Sequence, residues 1–340
     1  MKTAILGASG YGGGELVRLV DGHPTFDATY LGAHSQAGRT LGEVHPHLWG
    51  GDRVLSPMTA DLPGIEVAFL ALPHGESAEL GSELARGGLK VIDLGSDFRL
   101  DTPDRYQRAY GAPHPLPDEL GRWAYGLPEL FRESIVDADR VAAPGCYPTA
   151  ALLALAPMIA AGIIETNHVV VNAMSGVSGA GRAVRADLLF GSVDEGVRAY
   201  AVTTHRHRPE IEMAVSAFVG SPISVTFTPH LVPMQRGILA TITAPAAGQV
   251  TVASVRSVLA EFAGSNPFVE LIDEPPQTRW VVGSNRALVN AYLDSATNTV
   301  IAMSAIDNLV KGAAGQAVQA ANLMFGLDET AGLPMAGWMP

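Results

Sequence analysis

Residues 3–20 read TAILGASGYGGGELVRLV, and this stretch decides the fold of the first half of the chain. The run TAIL predicts a buried strand, and the run GGELVRLV predicts a helix. The turn between them has the spacing G-x-x-G-x-x-G, a variant of the dinucleotide fingerprint. Glycines allow a tight turn and let backbone N–H groups approach a pyrophosphate at the positive end of the helix. A glycine-rich turn without a ligand is the alternative for an isolated match, but the strand–helix junction favours a nucleotide. The predicted cofactor-binding residues are Gly7, Ser9, Gly10, Tyr11 and Gly13.

The first 145 residues repeat this order of strand and helix. Continuous apolar runs predict strands at 28–33, 65–72 and 90–94, with a helix at 78–86. Such runs spaced by helices are typical of a parallel sheet covered on both faces. We therefore predict a Rossmann-like, doubly wound parallel sheet. Ligands of such sheets bind beyond the strand ends, so Pro73 and His74, which follow one strand, are predicted cofactor-binding residues.

The pattern changes after residue 147, where alternating strands dominate. They are predicted at 169–173, 224–228, 238–243, 279–282, 287–293 and 299–305. Helices are predicted near 210–217 and 252–262, and a long alanine-rich helix from about 306 to 325. This order predicts an α+β domain with a mixed, largely antiparallel sheet and helices on one side.

Composition excludes several classes of protein. The net charge of −12 argues against a nucleic-acid-binding surface, because such surfaces cluster Lys and Arg. No apolar run is long enough to span a bilayer, and the N-terminus has no basic leader or cleavage site, so we expect a cytoplasmic protein. A single cysteine excludes an internal disulfide and a multi-cysteine zinc site. His45 and His47 have no third ligand in reach by sequence, so no metal is expected.

The end of the second predicted strand bears on cofactor choice. NAD enzymes place an acid there to bind the ribose 2′-OH, but residues 32–39 read GAHSQAGR and contain none. Ser35 and Arg39 are suited instead to a 2′-phosphate, since a charged donor to phosphate makes a strong hydrogen bond. We therefore predict NADP (NADPH); a solvated loop arginine is the alternative.

Cys146 lies in APGCYPT, residues 143–149, between a strand end and a strongly helical run. A lone cysteine is usually a small buried hydrophobe. Pro148 suits a first helical position, which places Cys146 beside a helix N-terminus, where the thiolate is favoured and N–H groups can stabilise an oxyanion. We therefore predict a nucleophile. Its acid–base partner is expected in HRHRPE, where His205 and His207 are both candidates.

Together these segments resemble the N-acetyl-gamma-glutamyl-phosphate reductases of arginine biosynthesis, relatives of the aspartate-semialdehyde dehydrogenases. The match spans nearly the whole chain in order, and PGCYPTA with SGVSGAGR is a specific pair. It is carried by GASGYGGGEL (7–16), LALPHGES (70–77), DLGSDFRL (93–100), YGLPEL (125–130), APGCYPTA (143–150), SGVSGAGR (175–182), HRHRPEI (205–211), FTPHLVPMQRGIL (227–239) and AIDNLVKGAAGQAVQ (305–319).

The resemblance implies roles for individual residues. Cys146 would be the nucleophile and His207 the acid–base, with His205 less suited to that role and assigned to substrate binding. The substrate's phosphate or carboxylate would be held by Arg99, Ser175, Gly176 and Arg182. The cofactor would be bound also by Ser178, Gly179 and Asn308, with Gly312 near the nicotinamide. The C-terminal helix would pack on the nucleotide domain, giving an NADP-binding domain of 1–147 and 308–340 and a catalytic and oligomerisation domain of 148–307.

The activity implied is NADPH-dependent reduction of N-acetyl-gamma-glutamyl phosphate, through a Cys146 thioester, to the semialdehyde and inorganic phosphate. Two alternatives stay open. One is a reductase for a related acyl phosphate, such as an aminoadipyl derivative in lysine biosynthesis. The other is a nucleotide-sensing regulator that has lost catalysis. The large second sheet suggests a homodimer or homotetramer.

Overall fold

A computed structural model describes residues 1–339, which divide into two units. The first unit comprises Met1–Pro144 and Ala313–Leu333, and the second comprises Gly145–Gly312 and the stretch from Pro334 onward. The roles predicted for the domains 1–147 with 308–340 and 148–307 stay predictions. No helix within residues 1–339 is long and apolar enough to cross a membrane.

The first unit contains a six-stranded sheet in the order β2-β1-β3-β4-β6-β5, with every neighbouring pair parallel. Its central strand β3 is fully buried, and β1 and β4 are buried except at their first residues, which is typical of a covered parallel sheet and explains the unbroken apolar runs. The predicted doubly wound parallel sheet is confirmed. The strands are β1 (Lys2–Leu6), β2 (Asp27–Gly32), β3 (Val67–Leu70), β4 (Lys90–Asp93), β5 (Ala124–Tyr125) and β6 (Arg140–Ala142).

The helices of the first unit include one from the far end of the sequence. The C-terminal helix, Gly315–Met324, is buried along its whole length and packs on α1, α5 and β4. Gln319 Nε2 donates a hydrogen bond of 2.9 Å to Glu129 Oε1 of α5. The other helices are α1 (Tyr11–Asp21), α2 (Leu41–Val44), α3 (Ala78–Arg86), α4 (Pro103–Tyr110) and α5 (Pro128–Val136).

The second unit contains a seven-stranded sheet in the order β11-β12-β13-β10-β7-β9-β8. Its neighbouring strands are antiparallel except β7–β9 and β11–β12, which are parallel. The predicted mixed, largely antiparallel sheet is confirmed. The strands are β7 (Val169–Ser175), β8 (Arg198–Ala199), β9 (Val225–Leu231), β10 (Ile238–Pro245), β11 (Val269–Leu271), β12 (Ala287–Asp294) and β13 (Thr299–Ile306).

One buried helix, α6 (Cys146–Ala160), organises this unit, because it packs against β10 and β13 as well as two other helices. Those helices are α8 (His207–Val219) and α9 (Val252–Gly264), and a short helix, α7 (Phe190–Val193), precedes them. Pro148, which was predicted at the first helical position, is the third residue of α6. Its missing N–H costs little there because the first turn has no intrahelical acceptors for those groups.

Two predicted elements were wrong. The strand expected at 279–282 is a 3₁₀ turn, Thr278–Trp280, in which the Trp280 N–H bonds to the Gln277 carbonyl. The β-branched residues there reflect burial and not a strand conformation, since Val281 is fully buried. The helix expected from 306 begins later. Asp307 Oδ1 accepts the N–H of Leu309 and Val310, and a π turn, Val310–Ala314, precedes the C-terminal helix.

Candidate active site

The glycine-rich turn of the first unit has no room for a side chain at two of its glycines. Gly7 has φ +93°, and a Cβ there would overlap the Ala71 carbonyl oxygen. A Cβ on Gly13 would overlap the carbonyl oxygen of Gly7. Gly10 is the N-cap of α1, so the turn leads directly into the positive end of that helix. These positions form a cradle of bare backbone, which fits the approach of a pyrophosphate.

His45 supports this turn, a role that was not predicted. Its Nε2–H donates a hydrogen bond of 2.9 Å to the Ala8 carbonyl, and the ring is buried. The ring lies so close to α1 that a Cβ on Gly14 would be 2.6 Å from its Cε1. Within residues 1–339, no three His, Cys, Asp or Glu side chains are grouped as a metal site requires.

Ser35 and Arg39 lie exposed in the loop that follows β2. Arg39 Nη1 donates a hydrogen bond of 2.7 Å to Gln36 Oε1, and Arg39 Nε is 3.9 Å from Glu43 Oε2. Glu43 also closes a capping box with Thr40 at the start of α2. A 2′-phosphate would therefore compete for Arg39 with Glu43, an acid that lies just beyond the stretch 32–39.

The loop after β3, which carries Pro73 and His74, is held by Asp97. The carboxylate accepts the N–H of Gly75, Ser77 and Ala78 at 2.8, 3.1 and 3.2 Å. Asp97 Oδ1 also lies 2.9 Å from His74 Nδ1. Strands β1 and β3 are neighbours, but the chain continues from β1 to β2 towards one edge of the sheet and from β3 to β4 towards the other. This loop and the glycine-rich turn therefore lie at the topological switch point, where such sheets usually bind ligands.

The pKa values of two neighbouring carboxylates behind this loop are shifted in opposite directions. Burial opposes the ionisation of Asp97, but hydrogen bonds from His74, Gly75 and Ser77 outweigh it and lower its pKa to about 2. Burial, and then the charge of Asp97, raise the pKa of Asp93 to about 7. Ser77 Oγ lies 2.8 Å from Asp93 Oδ2 and 3.0 Å from Asp97 Oδ2. The Ser77 hydroxyl has one hydrogen and donates to one of these carboxylates at a time. In the protonated form of Asp93, its O–H can donate to Ser77 while Ser77 donates to Asp97.

Arg99, predicted to bind the substrate's phosphate or carboxylate, is buried in the first unit. Its Nε donates to the Ala143 carbonyl at 2.9 Å and its Nη2 to the Leu94 carbonyl at 2.7 Å. The guanidinium thus links the segment at Ala143 to the residue that follows β4 through these two hydrogen bonds. Its role towards substrate stays a prediction.

Cys146, in the second unit, is the first residue of the 15-residue helix α6 and is half-buried. Its sulfur is thus carried at the positive end of a long helix, which favours a thiolate. Gly312 packs against it, since a Cβ on Gly312 would be 2.9 Å from Cys146 Cβ.

Both candidate histidines lie beside Tyr147, the residue after the cysteine. The Tyr147 ring meets the rings of His205 and His207 edge-on, at centroid distances of 5.5 and 5.9 Å. His205 Nδ1 accepts the backbone N–H of His207 at 3.1 Å. Burial, and then the charge of Arg206, lower the pKa of His205 to about 4. His205 is therefore neutral near pH 7, with its Nδ1 already engaged as an acceptor.

The loop 175–182 is tied to Asn308 within the same unit. Asn308 Nδ2 donates to Ser178 Oγ at 3.0 Å, and Asn308 Oδ1 accepts the Gly237 N–H at 2.7 Å. Gly176 packs on the backbone of Gln235, where a Cβ would be 2.7 Å from the carbonyl oxygen. Ser175 is buried at the start of the loop, next to Gly176, whereas Gly179 and Arg182 are exposed further along.

Two family models match the chain. Residues 2–138 match the NAD binding domain of semialdehyde dehydrogenases, and residues 146–308 match their dimerisation domain. Among solved structures, aspartate semialdehyde dehydrogenase II of Vibrio cholerae complexed with ASA has a TM-score of 0.72 at 19% identity, covering 96% of this chain and 98% of that one. Aspartate semialdehyde dehydrogenase with NADP from Candida albicans has a TM-score of 0.72 at 17% identity, covering 95% and 98%. These likenesses establish the shared fold.

Relatives with much higher identity span the whole chain. N-acetyl-gamma-glutamyl-phosphate reductase of Paenarthrobacter aurescens is 47% identical over 100% of this chain and 99% of the relative. The protein of the same name from Rhodopirellula baltica is 44% identical over 98% and 99%. The resemblance inferred from the sequence motifs is confirmed. The chain belongs to the N-acetyl-gamma-glutamyl-phosphate reductase family.

Proposed function

We propose that this chain reduces N-acetyl-gamma-glutamyl phosphate to N-acetylglutamate 5-semialdehyde, with release of phosphate and oxidation of NADPH. The observation that carries the proposal is the placement of the only cysteine, Cys146, as the first residue of α6, with two histidines around the adjoining Tyr147. Full-length relatives named for this activity support the choice of substrate.

NADPH would be held by the glycine-rich turn, by Pro73 and His74, and by Ser35 and Arg39 at the 2′-phosphate. The bare backbone at Gly7 and Gly13 supports this assignment, as does the match of residues 2–138 to an NAD binding domain. Bound NADPH supplies the hydride that the reduction requires. Ser178, Gly179 and Asn308 are further proposed contacts.

The Cys146 sulfur attacks the acyl carbon, and the helix α6 N-terminus favours both the thiolate and the oxyanion that forms. His207 accepts the thiol proton. The carbon–oxygen bond to phosphate then breaks, leaving a thioester on Cys146 and free phosphate. Arg99, Ser175, Gly176, Arg182 and His205 are the residues proposed to hold the substrate's anionic groups.

Reduction of the thioester carbon leaves the alkoxide of a thiohemiacetal, whose oxygen re-forms the carbonyl as the carbon–sulfur bond breaks. His207 returns its proton to the departing sulfur, which restores the thiol as the aldehyde leaves. His205 is a poor donor for this step, because its lowered pKa, about 4, leaves it neutral near pH 7. General acid–base help of this kind is typically worth ~10²–10⁴-fold.

Turnover in the reverse direction tests the proposal most simply. Aldehyde, phosphate and NADP are supplied, and NADPH formation is followed across a panel of semialdehydes. We expect the N-acetylglutamate semialdehyde to give the highest kcat/KM. A higher kcat/KM for an aminoadipate semialdehyde would show that the natural substrate is the longer acyl phosphate. The panel is needed because one methylene changes the discrimination between substrates by only ~1–3 kcal/mol. No turnover with any member would favour a nucleotide-sensing regulator.

We further propose that the protein is a cytoplasmic homodimer or homotetramer. The match of residues 146–308 to a dimerisation domain supports self-association. Light scattering of the purified protein across concentration distinguishes the two states, and a monomer throughout would overturn the proposal.

A further inference from the structure

Glu210 is a buried carboxylate that the mechanism above does not use. It lies in the first turn of α8 with 0% of its surface exposed. Its Oε1 accepts a hydrogen bond of 2.8 Å from the backbone N–H of Gly145. Gly145 is the N-cap of α6, and Cys146 is the next residue. A buried carboxylate of one helix is therefore bonded to the residue that precedes the nucleophile on another.

The same turn of α8 carries the acid–base candidate. His207 is the first residue of the helix, and Glu210 follows three positions later, so both lie on the same side of α8. His205 contacts His207 as well: His205 Nδ1 accepts the His207 backbone N–H at 3.1 Å, and the two ring centroids are 4.8 Å apart. The Glu210–Gly145 hydrogen bond thus connects the turn that bears the proton donor to the turn that bears the sulfur.

This connection has two chemical consequences. Proton exchange between an imidazole and a sulfur depends steeply on their relative position, so an element that fixes both turns preserves the rate. A negative charge at the start of α6 also opposes the helix dipole, which would otherwise favour the Cys146 thiolate strongly. Because the intrinsic nucleophilicity of a thiolate falls as the thiol becomes more acidic, that opposition keeps the sulfur reactive.

We propose that Glu210 is a positioning residue that holds the Cys146 turn against the His207 turn through the Gly145 N–H, and that its negative charge restrains ionisation of the thiol. The inference rests on the proposed function for its catalytic consequence, but its effect on the thiol needs neither substrate nor cofactor.

Alkylation of the unliganded full-length protein measures that effect directly. Cys146 is the only cysteine, so iodoacetamide reports on it alone. The second-order rate is measured against pH for wild type, Glu210→Gln and Glu210→Ala. The glutamine keeps an oxygen acceptor for the Gly145 N–H but removes the charge, and alanine removes both. We expect the midpoint of the profile to move to lower pH by roughly one unit in Glu210→Gln, as for removal of a nearby like charge.

Glu212→Gln is the matched control. Glu212 lies on the same helix and its Oε1 also accepts a backbone N–H, from Val225 at 3.0 Å, besides Arg208 Nε at 3.1 Å. Its substitution removes the same charge and perturbs the same helix without touching the Cys146 turn. We expect its alkylation profile and kcat to match those of wild type.

Turnover separates position from charge. We expect Glu210→Ala to lower kcat at least ~10-fold with KM little changed, and Glu210→Gln to recover most of that loss through its retained acceptor. A Glu210→Gln profile that coincides with wild type would overturn the charge effect, and a wild-type kcat in Glu210→Ala would overturn the positioning. If Glu210→Ala does not fold, Glu210→Asp takes its place, because it keeps the charge but shortens the reach to the Gly145 N–H. A kcat of Glu210→Asp below that of Glu210→Gln supports the positioning, and equal values overturn it. Failure of wild-type turnover would remove the proposed function while leaving the alkylation comparison intact.

Discussion

The glycine-rich turn of the first unit and the cysteine turn of the second both begin a helix, but their geometry has different origins. In the glycine-rich turn the obstacle that excludes a side chain at Gly13 is the Gly7 carbonyl, six residues away. At the cysteine turn the contacts come from distant segments, because Glu210 bonds Gly145 across 65 positions and Gly312 packs on Cys146. The restriction at Gly13 thus arises within the glycine-rich turn itself, although Ala71 and His45 also contact that turn. These two contacts of the cysteine turn come instead from distant segments.

The largest expected effect is at the nucleophile itself. Cys146→Ser should reduce turnover by roughly 10³- to 10⁶-fold, because a hydroxyl at this position is a far weaker nucleophile than a thiolate. The dissociation constant of NADPH, measured by fluorescence titration, should stay that of wild type. Retention of more than about a tenth of the wild-type rate would exclude the thioester route.

The next effect concerns His207, the proposed acid–base partner of the cysteine. His207→Asn should lower kcat by ~10²–10⁴-fold with KM changed far less, since the proton to sulfur is lost. His205→Asn is the comparison, because His205 is neutral near pH 7 and serves the His207 N–H as an acceptor. Steady-state kinetics of both variants decide the assignment. An unaffected kcat in His207→Asn, with His205→Asn strongly impaired, would transfer the role to His205.

The close approach between Gly13 and the Gly7 carbonyl within the glycine-rich turn can be tested by substitution. Gly13→Ala places a Cβ against the Gly7 carbonyl oxygen, whereas a Cβ on Gly12 meets nothing within 4 Å. Gly13→Ala should lower the free energy of unfolding by about 1–3 kcal/mol and weaken NADPH binding. Gly12→Ala should bind NADPH normally, with stability equal to or slightly above that of wild type. Urea unfolding and NADPH titration of the pair check this, and equal behaviour would show that the turn tolerates a side chain at both positions.

The smallest expected effect is on cofactor choice. Arg39→Ala should narrow the preference for NADPH over NADH by roughly 10-fold, the value of one charge-assisted hydrogen bond. Arg53→Ala, which removes an arginine paired with Asp21 in the same unit, is the control and should leave the preference unchanged. The ratio of kcat/KM for the two cofactors is the measurement. Equal use of both cofactors by the wild type would rule out a 2′-phosphate role for Arg39.

The sheets were predictable from the sequence to the extent that burial leaves a local pattern. Strand β1 and helix α3 appear at or near their expected bounds because unbroken apolar runs and helical periodicity are read from neighbouring residues. The turn at Thr278–Trp280 was missed because its β-branched neighbours are buried without being extended. The late start of the last helix depends on the Asp307 side chain, which ends β13 by bonding two backbone N–H groups.

The residues that hold the candidate binding and catalytic turns within each unit left much weaker signals in the sequence. The sequence suggests only a metal ligand at His45, yet its side chain hydrogen-bonds the Ala8 carbonyl 37 positions away. Asp97 belongs to the motif DLGSDFRL (93–100), but nothing in the neighbouring sequence indicates that its carboxylate accepts three N–H groups of the loop after β3. Glu210 reads as an ordinary helix-start acid, although its carboxylate caps another helix. Contacts between distant segments have no periodicity, so composition and spacing do not reveal them.

The central claim, a thioester on Cys146, is tested most directly by mixing the enzyme with its acyl phosphate in the absence of NADPH. Intact-protein mass spectrometry and phosphate release are followed together. The account predicts about one phosphate released per chain and one acyl group added, lost on treatment with hydroxylamine and absent in Cys146→Ser. Phosphate release that occurs only when NADPH is present, with no acyl adduct on Cys146, would contradict it.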